Sequence, residues 1–529
     1  MLLPMLGSEG RLRCRLILND TGLYFYLFLI GETVYGIGEE DNGLLYENGR
    51  AFQISVVPSE HSVPRWSHGA IMYQILPDRF AKGKEHDLSD KLTPYTVHSS
   101  TAESPRIGPD EQGHWNNDFF GGDLFGITKR LDYLQSLGVG VIYLNPIFLS
   151  FSNHRYDTAD YHRIDPMLGD EADLQLLCQE AHAKGMHVIL DGVFSHVGSD
   201  SKYFDARGRF GCGAVSDPNS PYRSWFHFRS YPGDYQCWWD IPTLPCVNEM
   251  DPTFLREIIS GQDSVINHYT KLGIDGFRLD VADELPDAFI ACFRRALREK
   301  KRDSFLIGEV WEDATNKISY GERRRYFTDC ELDSVMNYPL RSMILDLIKG
   351  KLPAAKFVSS VMELIEHYPK RSLHALMNLL SSHDTPRLRT ELCVIAEEDR
   401  KAALKAAVAL QYLLPGMPCI YYGDEIGMMG GADPDNRRFF CEDQTDEEIL
   451  AFYRLMGALK RKHTALQVGE TALRSTGNMI TVKRWCDEEA IELTLALSSG
   501  LASFPAGCEV LYASRIDSDR PYAIQIIKI

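Results

Sequence analysis

The run Gly276-Phe277-Arg278-Leu279-Asp280 reads as a barrel strand that ends on a carboxylate. Phe277 and Leu279 alternate with Arg278 and Asp280, so two apolar side chains face one way and two charges the other. Two charges on one side of a strand mean a functional site, a buried ion pair or a solvated edge. Taken alone the run favours the edge, and its companions reverse that reading. Eight strand candidates recur at 70–77, 140–147, 187–194, 276–282, 305–311, 334–340, 375–381 and 419–425. Amphipathic helical patterns lie between them, for example at 124–137, 170–184, 287–301 and 401–413, and a helix near 446–463 completes the series. Strands alternating with helices predict a parallel α/β fold. The span is about 390 residues, against about 250 for a plain barrel, so we expect a (β/α)8 TIM barrel with insertions.

The largest insertion, 197–255, follows the third strand and is rich in Gly, Pro, Tyr and Trp without helical periodicity. It is expected to wall one side of a cleft. Residues 1–62 alternate in short apolar and polar runs and predict a small N-terminal β module. The barrel then occupies 63–466, and 467–529 returns to short β runs, predicting a C-terminal β-sandwich domain.

The 529 residues exceed one core, and a net charge of −18 argues against a nucleic-acid or anionic-membrane partner. No run of 18 or more apolar residues predicts a membrane span. The start, MLLPMLGSEGRLR, lacks a basic n-region and has too short an apolar core for a secretory signal. Twelve cysteines are scattered without a CxxC pair. Cys237 and Cys246 are close enough in sequence to bridge, but most cysteines sit in apolar contexts, and a reduced, cytoplasmic setting is expected.

Barrel enzymes carry their sites on the loops at the C-terminal ends of the strands. Here those ends read Asp191-Gly-Val-Phe-Ser-His196, Arg278-Leu-Asp280, Gly308-Glu309-Val-Trp311 and Ser382-His383-Asp384. Carboxylates on neighbouring strands, about 4.8 Å apart, suit retaining glycoside hydrolysis, whose two carboxyls lie about 5–5.5 Å apart. Arg278 points to the same face as Asp280 and is expected to hold it ionised, lowering its pKa. Glu309, beside apolar Val310 and Trp311, suits the acid.

The motifs DGVFSH, GFRLD, GEVW and SSHD resemble, in order, the four signature regions of the α-amylase family, glycoside hydrolase family 13. MYQILPDRF (72–80), GGDLFGI (121–127), NHRYDTADY (153–161), WWDIPTLPCVNE (238–249) and GGADPDNRR (430–438) are similar to its cyclomaltodextrinase/neopullulanase/maltogenic amylase-like branch. The resemblance implies Asp280 as nucleophile, Glu309 as general acid/base and Asp384 as the third carboxylate, gripping the 2- and 3-hydroxyls of the −1 sugar. It implies His196, His383 and Arg278 around that sugar, Tyr156 as stacking platform and His154 beside it. Asp433 and Arg437 match a pair that binds the next sugar outward, and Trp311 joins the substrate-binding set. Asp191, Asp157 and Glu425 are implied to be structural. Trp238 and Trp239 either line the cleft or anchor the insertion.

The branch usually binds calcium after the first strand, through six to eight oxygens. Here Lys82 and Lys84 fall at expected ligand positions, so no metal is expected. A lysine ammonium is expected to take the ion's place, paired with Asp123 or Asp87. The N-terminal module resembles a truncated starch-binding module. Longer relatives of it often build dimers, which leaves a homodimer open. The implied activity is hydrolysis of α-1,4, and also α-1,6, bonds in maltooligosaccharides, cyclodextrins, pullulan or starch fragments through a covalent glycosyl-aspartate. The alternatives are an α-glucanotransferase using the same intermediate and a non-catalytic glucan-binding homologue.

Overall fold

The computed structural model describes residues 3–8, 11–38, 45–60, 62–329, 331–498, 507–515 and 520–529. All eight expected barrel strands form: β1 (Ile71–Ile75), β2 (Val139–Leu144), β3 (His187–Gly192), β4 (Gly276–Leu279), β5 (Phe305–Gly308), β6 (Ser334–Val335), β7 (Met377–Leu379) and β8 (Met417–Tyr421). They lie in one parallel sheet ordered β6-β5-β4-β3-β2-β1-β8-β7. A parallel bridge between Met336 and Met377 joins its two edges.

Period-two alternation sorts the side chains into two buried layers. Met72, Val141, Tyr143, Ile189, Ile307, Met377 and Cys419 fill the inside of the barrel. Tyr73, Ile142, Leu190, Phe277, Leu279 and Leu306 pack outward with the helices. Phe277 and Leu279 thus face the helices, as their alternation with Arg278 and Asp280 requires. At Gly276 an added Cβ would lie 2.0 Å from the Phe305 carbonyl oxygen. Only glycine lets β4 approach β5 this closely.

Two elements differ from expectation for local reasons. The run 334–340 splits because Asn337 caps a helix, accepting from the Leu340 N–H, and Pro339 suits that helix's first turn. Tyr338–Ile348 is therefore helical. The run 124–137 forms two short helices, Leu124–Lys129 and Leu131–Ser136, because Arg130 leaves helical geometry at ψ 4°.

The N-terminal residues form short antiparallel pairings, including Gly22–Tyr26 with Phe52–Val56. This module rests on the barrel: Gln53 donates to Thr315 Oγ1 at 2.7 Å and Arg50 pairs with Glu363. The described C-terminal residues make one five-stranded antiparallel sheet. The barrel helices Ala354–His367, Glu397–Leu413 and Thr464–Val468 form the layer packed against it. The described cysteines, Cys237 and Cys246 among them, are free thiols. No helix of the described residues is long and apolar enough to cross a membrane.

Candidate active site

A cleft of about 1000 Å³ opens at the C-terminal ends of the strands. It gathers Tyr156, His154, His196, Asp280, Glu309, Trp311, His383, Asp384, Asp433 and Arg437 from loops after β2, β3, β4, β5, β7 and β8. Arg278 lies buried beneath them, bonded to the same carboxylates. A shallower depression of about 690 Å³ near His86 and Gln175 holds none of these residues.

The β4–β5 ladder pairs Arg278 with Ile307 and Leu279 with Gly308. Asp280 and Glu309 are therefore the next pair in register. The pairing carries past the strand ends: the Glu309 N–H donates to Leu279 O on β4 and the Asp280 N–H to Gly192 O on β3, each at 3.0 Å. One guanidinium spans the pair. Arg278 Nη1 donates to Asp280 Oδ1 and to Asp191 Oδ1, both at 2.7 Å, and Nη2 lies 2.8 Å from Glu309 Oε2. Glu309 is held further by the Val281 N–H at 2.8 Å and the Trp311 indole N–H at 3.0 Å. Trp311 stacks on Tyr338, with ring centroids 3.8 Å apart.

The expected fall in the Asp280 pKa is not what this environment produces. Burial pushes Asp280 well above the usual carboxylate range. Arg278 opposes that shift, but Glu309, Asp191 and Asp384 add to it. Loss of hydration and the neighbouring carboxylates together outweigh the attraction of Arg278, so the shift is upward.

Asp191 holds its neighbours in place. It accepts from Tyr143 at 2.6 Å, from Tyr156 at 2.9 Å and from Arg278. The Tyr156 hydroxyl in turn accepts from Asn145 at 3.0 Å and sits 2.5 Å from His383 Nε2. Gln74 donates its amide to His383 Nδ1 at 2.9 Å, which leaves the ring proton on Nε2, 3.1 Å from Asp384 Oδ2. Burial, with Arg437 and Arg278 nearby, keeps His383 neutral. His154 is driven down by burial and the same kind of cationic neighbours, and burial lowers His196 to about 4. Neutral imidazoles in this cleft serve as hydrogen-bonding groups rather than counter-charges. Arg437 Nη1 lies 3.0 Å from Asp433 Oδ1, and Nη2 lies 3.7 Å from Asp384 Oδ1.

Trp238 and Trp239 both line the cleft, and Trp239 is 76% exposed. The end of the insertion pairs back onto β3's loop through a bridge between His196 and Cys246. Asp157 accepts from Ser152, and Glu425 accepts from Tyr73 and Tyr133, so both are committed to internal bonds. Gln74, Asn145, Tyr143 and Tyr338 complete the scaffold of the site and escaped the sequence reading. Gln74, the one polar residue inside the apolar run 70–77, was a legible signal for the first of them.

The residues at the calcium locus of the branch do not fit that ion. Asp123 accepts from the N–H groups of Gly83, Lys84 and Gly126, and lies 2.9 Å from His86 Nε2. Lys84 pairs with Asp173 at 2.6 Å rather than with Asp123 or Asp87, because the helix Glu171–Ala183 brings that carboxylate closer. Lys129 takes the Gly83 carbonyl at 2.8 Å. Oxygens already committed to N–H donors are poor ligands for a hard cation.

Residues 74–454 match the model of the "Alpha amylase, catalytic domain" family. The chain is 35% identical to an amylopullulanase of Thermoanaerobacter thermohydrosulfuricus over 85% of its length, and spans about a third (34%) of that relative. It is 34% identical to a cyclomaltodextrinase of Geobacillus thermopakistaniensis, covering 84% of this chain and 71% of the relative. The solved type III pullulan hydrolase of Thermococcus kodakarensis superposes with a TM-score of 0.75 at 29% identity, over 92% of this chain and 88% of that one. A family match across most of the barrel, around a cleft built from the same strand ends, shows that this chain belongs to the α-amylase family.

Proposed function

We propose that the protein is an α-glucan hydrolase that cleaves α-1,4 bonds, and also α-1,6 bonds, of short glucans with retention. The observation that carries the reading is the pairing of Asp280 and Glu309 in register, bridged by Arg278 at 2.7 and 2.8 Å on the cleft floor. In the first step an Asp280 carboxylate oxygen bonds to the anomeric carbon. The glycosidic C–O bond breaks, and its electron pair goes to the leaving oxygen, which takes the proton of Glu309. In the second step water gives a proton to Glu309 and its oxygen to the anomeric carbon, releasing Asp280. The first step requires the proton on Glu309 and an ionised Asp280.

Asp384 and neutral His383 present acceptor and donor to the −1 hydroxyls, with His196 and His154 lining the same cleft. Tyr156, clamped by Asp191 and Asn145, offers its ring as the platform. Asp433 and Arg437 serve the neighbouring sugar. The cyclomaltodextrinase and pullulan hydrolase likenesses support cyclodextrins, maltooligosaccharides and pullulan as the substrates to test. Chromatographic product profiles on β-cyclodextrin, pullulan, starch and maltotriose, measured side by side, test the reading. Cleavage of none of the four would overturn it. Longer chains from maltotriose would instead mark a glucanotransferase, which shares the first step. Calcium has no part in this mechanism.

A further inference from the structure

After Trp311 the chain enters a small hairpin of Ile318–Ser319 and Glu322–Arg323. Its turn residues Tyr320 and Gly321 have φ of 51° and 82°, a mirror-image turn that suits Asn or Gly. A tyrosine there is strained. Tyr320 is nonetheless 78% exposed, so burial does not explain its presence. Its hydroxyl donates to Glu284 Oε2 at 2.6 Å. Lys317, just before the hairpin, sets its ammonium 3.1 Å from Asp283 Oδ2 and against Glu312.

The hairpin is fastened to the loop that follows Asp280. Ser319 Oγ donates to Asp283 O at 3.2 Å, Arg324 donates to Asp283 O at 3.0 Å and to Leu285 O, and Tyr326 donates to Asp283 Oδ1 at 2.6 Å. Asp283, Glu284, Glu312 and Lys317 all line the cleft. They extend it from Glu309 and Trp311, on the β4 and β5 side. Asp433 and Arg437 extend it from Asp384, on the β7 and β8 side.

We propose that Lys317 and Tyr320 build the subsite for the leaving sugar, Lys317 by donating to its hydroxyls and Tyr320 by holding Glu284 as the acceptor. The inference rests on the α-glucan reading above, because Glu309 gives its proton to the leaving oxygen and so fixes which side that sugar occupies. An ammonium has three N–H donors. Asp283 and Glu312 take two, leaving one for a hydroxyl. Those carboxylates outweigh burial and hold Lys317 charged. The same subsite receives an acceptor sugar in transfer: its hydroxyl gives a proton to the Glu309 carboxylate, its oxygen bonds to the anomeric carbon, and Asp280 leaves.

The test compares maltotetraose with 4-nitrophenyl α-maltoside, whose aromatic leaving group has no hydroxyls for Lys317 to meet. In Lys317→Met the ratio of kcat/KM for maltotetraose to that for the aryl glycoside falls about tenfold, the scale of one charge-assisted hydrogen bond. Lys317→Arg restores most of that ratio, which a general loss of folding does not allow. Tyr320→Phe lowers it in the same direction, and transfer to added maltose falls with it in both Lys317→Met and Tyr320→Phe. A ratio within twofold of the parent enzyme in Lys317→Met overturns the inference while leaving the hydrolase reading intact. Failure of the parent enzyme to cleave either substrate counts against the hydrolase reading itself.

Discussion

The Val281 N–H reaches Glu309 Oε2 at 2.8 Å because Val281 adopts φ 37° and ψ 58°. A β-branched residue in the left-handed region is under strain, and such strain persists where neighbours over-determine it. Here the neighbours are Asp280 before it and the braced loop 282–285 after it. The turn aims an amide at the carboxyl proposed as the acid, on the strand beside Asp280. Val281→Gly keeps both the N–H and the conformation, so kcat should stay within about threefold of the parent enzyme. Val281→Pro removes the N–H and forbids positive φ, and should cost about three orders of magnitude or more. Initial rates on maltotriose, with thermal melting as the folding control, check both. Equal rates in the two variants would count against a role for this amide.

Asp280→Asn should reduce turnover by several orders of magnitude, roughly 10⁴-fold or more, because the amide cannot form the glycosyl intermediate. Glu309→Gln should lose as much on maltotriose but far less in kcat/KM on α-maltosyl fluoride, whose leaving group needs no proton in the first step. Values of kcat/KM on the two donors separate the roles. An Asp280→Asn enzyme retaining most of its activity would overturn the assignment.

Glu249, at the end of the cleft-walling insertion, is pushed by burial and by nearby Glu284 up to about 8, from an ordinary 4.5. The folded pKa is raised, so the protonated form is favoured on folding. The associated stability is complete below about pH 4.5 and is lost as pH rises through about 8. Melting temperatures at pH 6 and pH 9 should fall more for the parent enzyme than for Glu249→Gln. An identical fall in both would show that Glu249 ionises without consequence for folding.

Asp123 is saturated by three backbone N–H groups and His86. Dialysis against a chelator should therefore leave both melting temperature and activity unchanged, and elemental analysis should find no stoichiometric calcium. About one tightly held calcium per chain would refute the reading of that locus.

The eight strands, and the carboxylates at the ends of β4 and β5, were legible from residue order. Period-two alternation is local and survives in the chain as written. Asp280 and Glu309 fall one residue past two apolar runs, and that is enough to bring them together once neighbouring strands pair in register. The pairings between distant segments were not legible. Lys84 chooses Asp173 over Asp123 because a helix 89 residues away supplies the nearer carboxylate. Lys317 lines the cleft, and it and Tyr320 meet Asp283 and Glu284, cleft residues more than 30 positions earlier.

Asp280 shows the same division. Residue order places Arg278 two positions before it and so points to a lowered pKa. Packing adds the burial and the three other carboxylates, Asp191, Glu309 and Asp384, that reverse the direction. Alternation and strand ends are properties of neighbours in sequence, which any reading of the chain contains. Desolvation and the balance of charges are sums over everything within a few ångströms, and they exist only once the barrel has closed around them.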